Sequence, residues 1–297
     1  MVVGRFLMTD TKARPVNQSP QQSGAILCPG CRKLINADDV QCPYCRMKHP
    51  GAGFRKIPFH KLGQSAGTAI RWIITVNVAF FILSILLYPR HIGISANPLF
   101  FFSIDTDSLI LLGATGTLPI DRLHRWWTLV SASYLHGSLL HIFFNMAAFR
   151  QLGTLVAREF GVSRMFIIYT VGGAAGFLVS YLAGVPLTIG ASAALCALMG
   201  AALFYGKQRG GVYGAAVYRQ IGGWIVSLAL FGLVVSGINN WAHGGGLLGG
   251  IALGWLLGYT EQRPETAGHR WMAGACLWGT MAILAWAVGT GLYYRLS

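Results

Sequence analysis

Apolar residues gather in seven long blocks, at roughly 70–88, 129–149, 165–185, 189–206, 221–238, 241–259 and 271–293, with short polar or glycine-rich breaks between them. A helix rises about 1.5 Å per residue and the hydrocarbon core of a bilayer is about 30 Å thick, so each block is near the length that spans a membrane as helix. The pattern predicts an all-α polytopic membrane domain over residues 70–294 with about seven transmembrane helices. Composition agrees. Of 297 residues, 54% are hydrophobic and 11% charged, and the mean hydropathy of +0.53 is too high for an ordinary soluble domain.

The chain before residue 70 reads differently. Residues 1–24 are rich in Gln, Ser, Pro and Asn, with little to bury, and are expected to be disordered. Residues 25–50 contain Cys28-x2-Cys31 and, ten residues later, Cys42-x2-Cys45. Two such knuckles supply four thiolates for a tetrahedral Zn²⁺, and a segment this short lacks a core sufficient to fold without metal. A pair of disulfides or a thioredoxin-like redox pair would use the same cysteines, but a cytoplasmic location disfavours the first and the missing βαβ pattern the second. Residues 51–69 are read as a linker lying near the membrane surface.

The formal net charge of +14 raises the question of nucleic acid, and the positions of the charges answer it. Nineteen of the 23 Lys and Arg fall in residues 1–71 or in alternate connections, on one side of the membrane, whereas Arg90, Arg122, Arg125 and Arg295 fall on the other. Under the positive-inside rule the N-terminus is cytoplasmic and the C-terminus outside, so the basic excess is a topology signal and no nucleic-acid partner is expected. "MVVGRFLMTD" has no apolar core adequate for a cleavable signal peptide.

None of the nine acidic residues lies in a predicted span, which removes an aspartyl dyad, an HExxH metalloprotease and a carboxylate proton relay from consideration. What the spans do hold is His136, His141, Asn145, Ser192 and His243. His141 and Asn145, four residues apart, project about 40° apart on a helix, whereas His136 is expected about 140° from His141. In "AHGGGLLGGIALGWLLG", Gly246, Gly250, Gly254 and Gly258 form a seam for close helix approach, with His243 at its outer end. Packed against "GASAALCALMG", that seam would bring His243 to the depth of Ser192. A lone serine in such a run is usually a packing residue. A histidine at the same level makes it a candidate nucleophile with a base, and the His141 and Asn145 face a candidate oxyanion site.

The three segments "WWTLVSASYLHGSLLHIFFNM", "GASAALCALMG" and "AHGGGLLGG", in this order and spacing, resemble the rhomboid family of intramembrane serine proteases. The resemblance covers residues 122–259 and implies a six-helix core at about 70–260, one extra C-terminal helix, and a preceding zinc ribbon outside the core. It implies Ser192 as nucleophile and His243 as general base, with His141, Asn145 and the Ser192 amide at the oxyanion. It also implies that His136, Gly190, Gly246 and Gly250 support the site. Catalysis would need no cofactor, and Zn²⁺ would be structural. The implied substrates are transmembrane segments of other proteins in the bilayer, cut near the outer face. The zinc ribbon would stabilise the entrance to the first helix or bind a cytoplasmic partner, and the expected location is a prokaryotic cell membrane. An inactive scaffold that binds client helices is the alternative. Ala193 stands where the family's motif has glycine, Cys196 where an aromatic ring often packs on the histidine, and Trp127-Thr128 where Trp-Arg is usual.

Overall fold

The computed structural model describes residues 25–28, 31, 33–36, 39–48, 59–88, 101–235 and 237–296. The expectations for residues 1–24, for the linker up to residue 58 and for the start of the first outer loop lie outside the described residues. The chain divides between residues 57 and 58 into two units.

In the first unit, strands β1 (Ala25–Leu27) and β2 (Leu34–Asn36) pair antiparallel with Ile26 opposite Ile35. Each cysteine knuckle closes by a backbone bond: Cys28 donates to the Lys33 carbonyl and Cys42 to that of Met47, both at 2.9 Å. Among the described residues the buried hydrophobic cluster consists of Cys28, Ile35 and Cys42, a very small core for a folded unit.

The second unit contains, among the described residues, seven long helices and two short ones. The long ones are α1 (Phe59–Leu87), α4 (Leu139–Phe160), α5 (Val162–Leu182), α6 (Ser192–Arg209), α7 (Gly211–Val234), α8 (Asn240–Leu257) and α9 (Ala267–Leu296). The short helices α2 (Thr106–Leu111) and α3 (Thr128–Ser131) lie in the connection between α1 and α4. Two predicted boundaries move. The first helix begins at Phe59, so residues 59–69, read as linker, are helical. The second does not begin at 129. The chain passes through α3 and a 3-10 turn, Ala132–Tyr134, and starts α4 only at Leu139, where extended Ser138 accepts a bond from the His141 amide at 3.3 Å. A serine cap of this kind fixes a helix start that hydropathy alone cannot see.

Among the described residues, five helices, α1, α4, α5, α7 and α9, are long and apolar enough to cross a membrane. Helices α6 and α8 are shorter and fall below that measure by composition, because glycine and alanine take the place of larger apolar residues. Residues Ala193 to Ala202 of α6 are all buried. Helices α5, α6 and α8 meet backbone to backbone. A Cβ on Gly246 would overlap the Ala193 carbonyl, one on Gly250 the Ala197 carbonyl and one on Gly200 the Leu247 carbonyl. On the third side, a Cβ on Gly176 would lie 2.6 Å from the Ala242 carbonyl oxygen. Small residues thus line the contacts among α5, α6 and α8.

At the other end of α5, buried Arg164 donates to the carbonyls of Phe160, Arg263 and Pro264, at 3.2, 2.8 and 2.9 Å, and Glu265 accepts from the Ser163 amide at 2.8 Å. This clamps the α8–α9 connection onto the start of α5.

Candidate active site

Three chain breaks place the polar residues. The first precedes α6: Gly190 adopts φ +120°, its amide donates to the Ala132 carbonyl at 2.9 Å, and α6 opens with Ser192. The second precedes α8: Asn239 caps the helix by accepting from the Ala242 amide at 3.0 Å, which puts His243 in the first turn. The third is the Ser138 cap, which puts His141 in the first turn of α4 and Asn145 one turn deeper.

His243 Nε2 lies 2.9 Å from Ser192 Oγ, a hydrogen-bond distance. His141 Nδ1 accepts from the Gly137 amide at 3.2 Å, so in the neutral ring the proton sits on Nε2. That nitrogen faces Gly190, where an added Cβ would lie 2.8 Å from it. Asn145 Nδ2 donates to the His141 carbonyl at 2.8 Å, leaving one N–H of the amide for another acceptor. Ser192, His243, His141 and Asn145 line one cavity of about 1180 Å³, with Trp241 and Phe177 among its apolar walls. A buried donor set beside a hydroxyl–imidazole pair is the arrangement that general-base acyl transfer requires.

His136 is placed differently from the helical-wheel expectation. Because α4 starts after it, His136 lies in the turn and its ring packs edge-to-face on His141, centroids 5.0 Å apart. It is fully buried, with neither ring nitrogen bonded among the described residues, and backs His141 without lining the cavity.

Gly190, Gly246 and Gly250 each stand where a Cβ would meet the His141 ring or the backbone of α6. Ala193 is fully buried, and its methyl lies 3.1 Å from where a Cβ on Gly176 would stand, so it turns into the α5 interface and away from the cavity. It does not line the cavity. Cys196 lines a second, smaller cavity of about 270 Å³ behind His243, with Met199, Leu228 and Leu247. Sequence reasoning missed Asn239, which donates to Ser180 at the end of α5 and to Thr188 in the loop before α6. The available signal was an Asn pair directly before an apolar block, a common N-cap.

In the first unit, the sulfurs of Cys28, Cys31, Cys42 and Cys45 lie within 4.8 Å of one another, with Cys28 and Cys45 at 3.6 Å and Cys31 and Cys42 at 3.7 Å. Four sulfurs about 2.3 Å from a tetrahedral zinc stand about 3.8 Å apart, so this set can hold a metal ion. Burial raises the Cys42 thiol, but the amides of Cys45 and Tyr44 outweigh it and hold the group down at about 7, within reach of the thiolate a metal needs.

The rhomboid domain family matches residues 123–260. This stretch of the chain is a rhomboid domain. It contains α3 to α8 and therefore every residue of the polar cavity, and leaves α1, α9 and the cysteine unit outside the match. Similar proteins include "Rhomboid protease GluP" of Bacillus subtilis (strain 168), 31% identical over 198 residues that cover 65% of this chain and 36% of that one. "RHOMBOID-like protein 1" of Arabidopsis thaliana is 28% identical over 225 residues, covering 66% of this chain and 56% of that one. "RHOMBOID-like protein 5" of the same plant is 35% identical over 152 residues, covering 49% and 48%. The chain spans from about a third to just over half the length of these relatives. They come from a bacterium and a plant, so the similarity does not choose between a prokaryotic and a eukaryotic membrane. The rhomboid domain with its apolar helices makes the chain a multi-pass integral membrane protein.

Proposed function

We propose that the rhomboid domain is an intramembrane serine endopeptidase that cuts transmembrane segments of other proteins with a Ser192–His243 dyad. The observation that carries this reading is the 2.9 Å contact between Ser192 Oγ and His243 Nε2, beside His141 and Asn145 in one cavity. Ser192 Oγ attacks the scissile carbonyl carbon as its proton passes to His243 Nε2. The negative charge on the carbonyl oxygen is met by His141 Nε2–H, the free N–H of Asn145 and the Ser192 amide at the start of α6. The C–N bond then breaks, the amine takes the proton from His243, and an ester on Ser192 remains. Water, deprotonated by the same imidazole, hydrolyses that ester, releases a carboxylic acid and restores the hydroxyl. The substrate must unwind at the cut, because a helical carbonyl is already hydrogen-bonded.

The charge asymmetry supports a cytoplasmic N-terminus, with the cavity, which adjoins the first turns of α4, α6 and α8, opening toward the outer face. The spacing of the four sulfurs supports structural Zn²⁺ in the first unit, remote from catalysis in chemistry because all four ligand positions are filled by protein. A non-catalytic scaffold is favoured by one observation, the cavity of about 270 Å³ that leaves His243 loosely backed beside Cys196. Treating the purified chain with a fluorophosphonate probe and mapping the adduct separates the two. The hydrolase takes label at Ser192 and cleaves a helix-destabilised transmembrane substrate, and Ser192→Ala removes both. A chain that takes no label, or cleavage retained in Ser192→Ala, overturns it.

A further inference from the structure

We propose that Asn239 is a positioning residue that sets the Ser192–His243 geometry by tying the start of α8 to Ser180 at the end of α5 and to Thr188 in the loop before Ser192. This rests on the hydrolase reading above and adds a residue that lines the same cavity and acts through Ser180 and Thr188, with its side-chain bonds made to them and to the Ala242 amide.

Every polar atom of the Asn239 side chain is engaged. Oδ1 accepts from the Ala242 amide at 3.0 Å, and Nδ2 donates to Ser180 Oγ at 2.6 Å and to Thr188 Oγ1 at 3.0 Å. Helix capping needs only the first of these bonds. The other two reach different parts of the fold, 59 and 51 residues away in sequence. Ser180 is fully buried and Thr188 nearly so, while Asn239 is half-buried, so these bonds are partly shielded from competing solvent.

Both far ends are themselves held. Thr188 exchanges backbone bonds with Thr115 in both directions, at 3.0 and 2.7 Å, and the Thr115 hydroxyl accepts from Thr128 Oγ1 at 3.0 Å. The loop that leads into Ser192 is therefore pinned to the outer connection, and Gly190 pins it again to Ala132. Asn239 precedes His243 by four residues, and Thr188 precedes Ser192 by four. The Asn239–Thr188 bond and the His243–Ser192 bond thus close a ring across the α6–α8 contact.

The glycine seam cannot do this alone. Contacts of Gly246 and Gly250 with the α6 backbone fix how near the two helices lie, but small residues offer little resistance to sliding along that groove. A slide of one residue is about 1.5 Å, enough to break a 2.9 Å hydrogen bond. A directional bond at the helix start resists it.

Three variants of the full-length chain test this in detergent, with fluorophosphonate labelling rate, kcat and KM for a transmembrane substrate, and Tm as readouts. Asn239→Ser keeps a capping oxygen for Ala242 but cannot span to Ser180 and Thr188. The pair Ser180→Ala with Thr188→Val removes the bridge from the other side and leaves the cap intact. Asn239→Asp keeps the cap and accepts bonds from both hydroxyls, so it rebuilds the bridge with the donors reversed. Asn239→Ser and the Ser180/Thr188 pair should each lower labelling rate and kcat about tenfold or more with KM within about twofold, as misplacement of a reacting group does. Asn239→Asp should recover most of the loss, and adding Asn239→Ser to the pair should cost nothing further.

Wild-type labelling rate in a folded Asn239→Ser chain, or losses that multiply when the variants are combined, would overturn the assignment. If Asn239→Ser fails to fold, the Ser180/Thr188 pair decides by the same criterion. A wild-type chain that takes no label overturns the hydrolase reading and this one with it, whereas a labelled wild type with unaffected variants overturns this one alone.

Discussion

A Cβ on Gly246 would fall on the carbonyl oxygen of Ala193, so the helix that carries His243 touches, backbone to backbone, the residue that follows Ser192. Gly246→Ala must push α8 away from α6. Overpacking of this kind costs about 1–3 kcal/mol, and the displacement should also lower labelling of Ser192 well beyond the change in Tm. Gly274→Ala on α9, where a Cβ meets nothing within 4 Å, is the control and should leave both unchanged. A folded Gly246→Ala chain that labels at the wild-type rate would show that the contact has slack.

His141 and Asn145 are assigned to the developing oxyanion, so their loss should appear in kcat with little change in KM. Removing one such donor typically costs about 10²–10³ in rate, and His141→Ala and Asn145→Ala are each expected in that range. Asn145→Asp tests the sign of the charge: a carboxylate facing the oxyanion should be worse than alanine. Steady-state kinetics on a transmembrane substrate decide it.

Gly190 carries two constraints at once. Its φ of +120° is strained for any residue with a Cβ, and that Cβ would lie 2.8 Å from His141 Nε2. Gly190→Ala should cost about 1–3 kcal/mol in stability from the backbone alone and should displace the imidazole as well. Activity lost in excess of stability, read by kcat and Tm on the same preparation, is the expected result.

The cysteine unit should bind one metal per chain and depend on it for its fold, because among the described residues its buried apolar cluster is Cys28, Ile35 and Cys42. Elemental analysis should find zinc that Cys42→Ser or acidification releases. Protons compete with metal for the thiolates, so retention should weaken as pH falls. Chelation should open residues 25–48 to limited proteolysis. Metal content unaffected by Cys42→Ser would refute the site.

Much of this was legible in the sequence for reasons that are local. Seven apolar blocks gave the long helices because a bilayer leaves a buried backbone few alternatives to helix. The four-residue glycine spacing identified the α6–α8 contact because a helix turns through a little more than a full circle in four residues, which aligns Gly246, Gly250 and Gly254 on one face. The cysteine spacing anticipated the sulfur cluster for the same local reason.

Boundaries and partners across the fold were another matter. Hydropathy ran the second helix through His136, since nothing in the apolarity of residues 129–138 betrays the turn that the Ser138 cap imposes. The edge-to-face packing of His136 on His141 followed from that turn and contradicted the helical wheel. Residues 192 and 243 are 51 apart in sequence, and their side chains meet only because α5, α6 and α8 interlock at glycines and because Asn239 reaches Ser180 and Thr188. Sequence patterns report which face of an element is apolar and which residue types it carries. The tertiary fold alone decides how far each helix slides along its neighbour, because that register is set by side-chain hydrogen bonds between residues far apart in the chain.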